Sequence, residues 1–94
     1  LVIRSARVAV FCDGDFWHGR NWPNRRAKLA AGWNAVYWVA KIERNRTRDR
    51  QTTRALRAMG WHVARLWESD VRRDPDQAAL LVQDAIRRAR TKRA

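Results

Sequence analysis

Cysteine is almost absent from this chain of 94 residues, in which Cys12 is the only one. A single thiol excludes an internal disulfide, and it also excludes a zinc site built from several cysteines. Histidine, the other common zinc ligand, occurs only at His18 and His62. We therefore expect no bound zinc, and we expect a reducing, intracellular environment.

Long apolar runs are also lacking. No segment approaches the roughly 20 apolar residues that a membrane-spanning helix requires, and no signal peptide is visible. The chain has no internal repeat and no glycine-rich loop for binding phosphate. It begins with Leu1, and its one methionine is Met59, so we expect further sequence upstream.

Acidic residues are few relative to basic ones. Nine aspartates and glutamates face 21 lysines and arginines, which gives a formal net charge of +12 and an isoelectric point near 11.7. Arginine dominates, which suits bidentate contact with phosphate, and six tryptophans suit stacking on bases. These features favour nucleic acid as the partner, with an anionic membrane surface as the alternative. The length suits one domain over residues 1–94.

The most distinctive segment runs from Val8 to Gly19. Its first five residues, Val-Ala-Val-Phe-Cys, are apolar and β-prone and predict a buried strand. The next seven hold the carboxylates of Asp13 and Asp15, two aromatic rings and the imidazole of His18. At a strand end, such groups can bind a metal, transfer a proton and stack on bases. A hairpin turn at Asp-Gly with a packed histidine would explain the same residues without catalysis.

The remaining pattern predicts a small α/β domain with a mixed three-stranded sheet. Leu1–Ile3 and Arg7–Cys12 predict an antiparallel hairpin, and Trp61–Trp67 predicts a third strand. The helical sequence between the second and third strands indicates a right-handed crossover and parallel pairing. Residues 19–33 contain Asn, Pro and Gly and are predicted to form a basic loop, which either binds DNA or is a solvated surface.

Three helical segments are predicted. The first follows Asn34 as N-cap, the second ends at Gly60, and the third begins at Asp74-Pro75. Periodicity predicts the following buried residues in the first and third helices: Ala35, Val36, Val39, Ile42, Ala78, Leu81, Val82, Ala85 and Ala89. Another face of the first helix aligns Trp38, Lys41, Asn45 and either Arg48 or Asp49. That stripe either borders the strand-end site or is a solvated helix face.

Several of these pieces together resemble one enzyme family. They are Asp-Gly-x-Phe-Trp-His-Gly at 13–19, Tyr-Trp at 37–38, Lys-Ile at 41–42, Asn45, Arg-Asp at 48–49, Gly-Trp at 60–61 and Trp-Glu at 67–68. In this order they resemble the very-short-patch-repair (Vsr-type) DNA mismatch endonucleases over about residues 8–68. Other nucleases of the restriction-endonuclease-like superfamily share a sparser form of the pattern.

The resemblance implies a restriction-endonuclease-like core that lacks its amino-terminal part. It also implies Mg²⁺-dependent nicking of double-stranded DNA beside the thymine of a T·G mismatch. By position, His18 is the expected proton-transfer group and Asp49 its supporting carboxylate. Asp13 is the expected metal ligand, together with the backbone carbonyl of Cys12. No lysine precedes Lys28, so the histidine would replace the lysine that many restriction-type enzymes use.

The resemblance further implies that Phe16 and Trp17 form an aromatic wedge that enters the base stack at the mismatch. Inserting a ring costs unstacking energy, and a mismatched pair lowers that cost. With the two arginines of the basic loop included, the expected DNA contacts are Phe16, Trp17, Arg25, Arg26, Trp38, Lys41 and Asn45.

Two departures from the family pattern matter. Asp15, Arg20, Trp22 and Ser69 stand where the family often carries zinc ligands, which again predicts no zinc. Asp15 then either adds a Mg²⁺ ligand or pairs with an arginine, and we expect the ion pair. The principal metal-binding aspartate of the family lies in a Pro-Asp pair that would fall just before Leu1. We therefore expect residues 1–94 alone to bind DNA but to nick it poorly.

Taken together, these features predict a monomeric endonuclease of the bacterial cytoplasm that acts on DNA in mismatch repair and binds no membrane. The alternatives are another nuclease of the same superfamily and a basic DNA-binding remnant without catalysis.

Overall fold

The computed structural model describes the backbone of residues 1–93 and the side chains of residues 1–92. The strands are β1 (Val2–Ile3), β2 (Val8–Asp13) and β3 (His62–Trp67), and the α-helices are α1 (Trp22–Ala30), α2 (Ala35–Ala58), α3 (Glu68–Arg73) and α4 (Pro75–Arg93). A short 3-10 helix over Arg4–Ala6 joins β1 to β2. None of the described helices combines the length and apolar character that crossing a membrane requires.

The sheet has the predicted mixed topology. β2 lies in the centre, antiparallel to β1 and parallel to β3. In the parallel ladder Phe11 lies opposite Arg65, and Asp13 lies opposite Trp67. Because alternate residues of a strand point to opposite faces, Phe11, Asp13 and Arg65 share one face of the sheet.

Helices cover both faces of this sheet. On one face, Ala85 and Ala89 of α4 join Ala6 and Val8 in the buried core. On the other face, α2 contacts β3 and receives a hydrogen bond from Arg65 at Thr53. The α/β class and the three-stranded sheet predicted from the sequence are therefore confirmed.

The prediction of a loop over residues 19–33 is wrong, because α1 occupies Trp22–Ala30. Pro23 sits in the first turn of α1, where its missing N–H has no intrahelical partner to lose. Trp22 is buried at the start of the helix, with the guanidinium of Arg46 near its ring. Asparagine and proline in this segment therefore mark the beginning of a helix.

The helical predictions also need correction within α2. The two segments predicted on either side of residue 50 form one continuous helix. Asn34 precedes it with φ 54°, and its side chain makes no capping hydrogen bond. Its backbone carbonyl instead accepts a hydrogen bond from the Trp38 amide at 3.2 Å. Ile42 is fully buried as predicted, whereas Val36 is 86% exposed, so the apolar stripe is narrower than its periodicity suggested.

Two further differences concern the carboxyl-terminal third. A short helix, α3, follows β3 directly and was not predicted. The Asp74-Pro75 start of α4 is correct, and an Asp74 carboxylate oxygen accepts a hydrogen bond from the Gln77 amide at 3.1 Å. Leu81 was predicted to be buried but is 47% exposed, because small side chains at Ala85 and Ala89 make the close contact with the sheet.

The contrast between Ile42 and Val36 on the same helix predicts a difference in stability. Replacing Ile42 with alanine removes a fully buried side chain, and we expect the free energy of unfolding to fall by about 2–5 kcal/mol. Val36→Ala is the matched control, and we expect a change within about 0.5 kcal/mol. Urea denaturation followed by circular dichroism measures both, and equal midpoints for the two variants would contradict the packing described.

Candidate active site at the end of the central strand

The candidate site begins where β2 ends. Asp13 is the last residue of that strand and is only 7% exposed. The chain then forms a tight loop that returns past α2, and its backbone is fixed by hydrogen bonds from the His18 amide to the Gly14 carbonyl and from the Arg20 amide to the Asp15 carbonyl. This loop presents the imidazole of His18 beside the buried carboxylate.

Three titratable side chains meet at this point. His18 Nδ1 contacts an Asp49 carboxylate oxygen of α2 and lies 3.8 Å from Asp13 Oδ1. An ionised carboxylate can only accept a hydrogen bond, so Nδ1 carries the proton in the neutral imidazole. The second nitrogen, Nε2, is then left as a proton acceptor. The structure thus brings together His18, Asp13 and Asp49, although residues 18 and 49 are far apart in the sequence.

Arg65 of β3 lies beside these carboxylates. Its Nη1 donates to both Asp13 oxygens at 3.0 and 3.2 Å, and its Nε donates to Thr53 Oγ1 at 2.9 Å. Its Nη2 donates to the backbone carbonyl of Asp49 at 3.3 Å, and its guanidinium lies 4.2 Å from the centre of the Phe11 ring. Sequence analysis did not single out this residue. The signal was present, because a charged residue inside an apolar strand needs a partner.

The same groups form the one metal-binding cluster found among the described side chains. One ligand atom each from Asp13, His18 and Asp49 lies within 4.8 Å of the others. Carboxylate oxygens are the ligands that Mg²⁺ prefers, so the donor set fits a divalent cation held mainly by the two aspartates. Cys12 precedes Asp13 on β2, opposite Leu66. The binding of a metal by the backbone carbonyl of Cys12 stays a prediction.

Aromatic rings line the neighbouring surface. The ring centres of Phe16 and Trp17 are 5.1 Å apart, and both lie within 5.8 Å of the Trp38 ring on α2. Trp17 is 47% exposed. Tyr37 extends the group through an edge contact with Trp38. The predicted wedge residues and Trp38 therefore form one aromatic cluster, partly open to solvent, next to His18.

The polar residues predicted to contact DNA differ in the contacts they make within the protein. Arg25 of α1 lies over the Phe16 ring at 5.9 Å, whereas Arg26 pairs with Glu43 at 2.8 Å. Lys41 is half-buried on α2. Asn45 donates from Nδ2 to the Trp17 carbonyl at 2.9 Å. In this structure its side-chain amide therefore holds the backbone of the loop that carries Phe16 and Trp17.

Asp15 makes the ion pair that we expected, but its main partner is Ser69. Its oxygens accept hydrogen bonds from the Ser69 amide at 3.0 Å and the Ser69 hydroxyl at 2.6 Å, while Arg20 Nη1 lies 3.5 Å away. Arg20 also donates to Ser69 Oγ and to Asp70. The hydrogen bond from the Ser69 side chain holds the pKa of Asp15 below its ordinary value. The network fastens the loop to α3, and Asp15 is not a member of the cluster formed by Asp13, His18 and Asp49.

Known proteins with similar sequences place this geometry in context. The chain is 44% identical over 84 residues to the type II nicking enzyme V.NmeDIP of Neisseria meningitidis serogroup C. The aligned region covers 89% of this chain and 55% of that protein. It is 36% identical over 86 residues to the type II nicking enzyme V.HpaIIP of Haemophilus parainfluenzae, covering 92% and 60%. It is 30% identical over 72 residues to the DNA mismatch endonuclease Vsr of Escherichia coli K12, covering 77% and 44%.

The chain is thus similar in sequence to type II nicking enzymes and to the DNA mismatch endonuclease Vsr. This confirms the resemblance drawn from the residues of β2, its following loop and α2. The chain spans about half the length of the curated relatives it matches. No protein-family model and no solved structure matches it.

The Asp15 network predicts a measurable shift in titration. Ser69→Ala removes the largest contribution that lowers the Asp15 pKa, so we expect this pKa to rise towards its ordinary value of 3.8. A carboxyl whose pKa is lower when folded stabilises the protein above its unfolded pKa, and this stabilisation is lost as the pH falls through the folded value. The variant should therefore lose less stability than the parent below about pH 4.

Carbon-detected NMR titration of the aspartate carboxyl groups measures this shift directly. Asp84, whose pKa is lowered by its pairing with Arg87 on α4, is the internal control and should titrate alike in both proteins. An Asp15 pKa that does not move in Ser69→Ala would show that Ser69 is not its main partner in solution.

Proposed function

We propose that this Vsr-type chain carries the active site of a Mg²⁺-dependent endonuclease that nicks duplex DNA at T·G mismatches in very-short-patch repair. The observation that carries the proposal is the meeting of Asp13, His18 and Asp49 at the end of β2, beside an open aromatic cluster. The names of the relatives, which are nicking enzymes and a mismatch endonuclease, support the same reaction class.

The proposed chemistry gives each side chain of the cluster a defined role, and Asp49 has two. Asp49 accepts a hydrogen bond from the protonated Nδ1 of His18 and so leaves Nε2 without a proton. Nε2 then takes a proton from the attacking water, since histidine exchanges protons near neutral pH. Asp13 and Asp49 are the residues that would hold Mg²⁺, and Cys12 would add its carbonyl. When bound, the cation supplies stabilisation for the negative charge that develops on the phosphate.

The aromatic cluster gives the proposal its substrate preference. Trp17 is half exposed at the edge of a group of rings that buttress one another. A ring presented in this way can enter a base stack, and a mismatched pair costs less to unstack than a matched pair. We therefore assign Phe16, Trp17 and Trp38 to contact with the mismatched step, with Arg25 and Lys41 beside them.

The distribution of arginines supports a nucleic-acid partner. Four arginines of α3 and α4 pair with an acidic residue one turn away, as in Arg72 with Glu68 and Arg87 with Asp84. Among the described side chains, six arginines of α2 form no ion pair with an acid; these are Arg44, Arg46, Arg48, Arg50, Arg54 and Arg57. Like charges one turn apart destabilise a helix, so a bound polyanion would reduce the electrostatic repulsion between these arginines. Phosphates of DNA fit this requirement.

The test is a nicking assay on two duplexes that differ only in one T·G pair. We expect the full-length protein to nick the mismatched duplex, with Mg²⁺ required, and to leave the matched duplex intact. Nicking of both duplexes would favour another nuclease of the superfamily. Binding without any nicking would favour a non-catalytic DNA-binding module. Cleavage that persists in excess chelator would remove Mg²⁺ from the proposal.

His18 supplies the sharpest catalytic prediction. His18→Ala removes the proposed general base, so we expect the single-turnover nicking rate to fall on the order of 10²-fold or more with DNA affinity nearly unchanged. His62→Ala is the matched control, since the other histidine lies at the opposite end of the sheet at the start of β3. An unchanged rate in His18→Ala would reject the assignment.

Salt dependence tests the proposed contacts with phosphate. If roughly five phosphates are neutralised, the log–log slope of affinity against salt should be about −4 to −5. Replacing Arg54 and Arg57 with glutamine should make this slope shallower by about 2 if both contact phosphate. Arg87 and Arg88 both pair with Asp84. Replacing these two arginines with glutamine removes the same number of positive charges and should leave the slope unchanged. Equal slopes in all three proteins would place the DNA elsewhere.

A further inference from the structure

We propose that Arg65 is the positioning residue of this site. Its guanidinium holds the Asp13 carboxylate and the Asp49 turn of α2 at the separation that lets Asp49 reach His18. The kinetic part of the argument rests on the proposed nicking activity, whereas the structural part does not.

The geometry shows how one side chain connects three elements. From β3, Arg65 reaches Asp13 on β2 with Nη1, and it reaches Asp49 and Thr53 on α2 with Nη2 and Nε. The two α2 acceptors are a backbone carbonyl and a hydroxyl one helical turn apart. A planar guanidinium can bond in three directions at once, and this fixes the helix at a defined distance from the strand end.

The surroundings of Arg65 favour a fixed position. Its side chain is 22% exposed, that of Asp13 is 10% exposed, and the Phe11 ring covers the guanidinium at 4.2 Å. Ion pairs with a charged hydrogen-bond network and restricted access to water are held more firmly than surface pairs. Each of the three guanidinium nitrogens already donates to the protein. This arrangement points to support of the site and away from direct contact with DNA.

The Asp49–His18 contact depends on this support. Asp49 projects from the middle of α2, and within the described residues the same stretch of the helix is tied to β3 through Arg65. Ile42, two turns earlier, is the buried apolar residue of α2. Without Arg65, α2 would keep the apolar packing of Ile42 but lose the hydrogen bonds that join Asp49 and Thr53 to β3. Displacement of a catalytic group by about 1 Å can cost on the order of 10²-fold in rate.

The experiment compares Arg65→Lys, Arg65→Gln and the control Arg87→Gln, which breaks an exposed arginine–aspartate pair on α4. We expect both Arg65 variants to nick on the order of 10²-fold more slowly in single turnovers. We also expect their dissociation constants for DNA to stay within about threefold of the parent. Lysine keeps the charge but offers one ammonium group, which cannot reach all three acceptors, so it should not rescue the rate. Arg87→Gln should behave as the parent.

A second measurement does not require activity. The His18 Nδ1 proton bonded to Asp49 should give a proton NMR signal downfield of the amides, identified by its loss in Asp49→Asn. We expect Arg65→Gln and Arg65→Lys to lose or broaden this signal and Arg87→Gln to keep it. If the parent protein fails to nick DNA, the proposed function falls, but this signal still tests the role of Arg65.

Three results would overturn the inference. They are full activity in Arg65→Lys, weakened DNA binding with an unchanged nicking rate, and an NMR signal that survives in Arg65→Gln. Thr53→Val covers the case in which Arg65→Gln does not fold. It removes the hydroxyl acceptor but leaves the ion pair with Asp13. A nicking rate and an NMR signal equal to the parent's in Thr53→Val would also count against the inference.

Discussion

The parallel pairing of β2 with β3 determines where every group of the candidate site lies. In this register Phe11 faces Arg65 and Asp13 faces Trp67. The face that carries these side chains is the face that α2 covers, so Asp13 and Arg65 meet Asp49 there. A slip of one residue would turn Arg65 towards α4 and leave Asp13 buried without a cation. The site is therefore a consequence of one strand register.

Much of the fold could be predicted because apolar runs and turns are local signals. The strand ending at Cys12 or Asp13 and the strand ending at Trp67 were both found in this way. Helix α1 was missed because Pro23 is compatible with a loop and equally with the first turn of a helix. The exposure of Val36 could not be predicted either. Periodicity identifies an apolar stripe but does not show how far along the helix a neighbouring element extends.

The candidate site was predictable in its strand-end part and less so elsewhere. Asp13 and His18 lie in one short segment, so their proximity follows from the strand that precedes them. The pairing of Asp49 with His18 was predicted from the family resemblance alone. The spacing of residues along a helix does not reveal which loop the helix contacts. Arg65 was overlooked because the third strand was predicted from its apolar residues, and the charged residue within it was not considered. Its partners come from β2 and α2, and only the folded chain brings these together.

The loop that carries Phe16 and Trp17 is braced from two sides. Asn45 of α2 holds the Trp17 carbonyl, and Ser69 of α3 holds the Asp15 carboxylate. A loop ordered before binding loses little conformational entropy when its partner arrives. In the proposed complex, most of the deformation would therefore fall on the DNA. Selection would then depend on how easily a base step yields, a mechanical property of the duplex that the protein senses without reading individual bases.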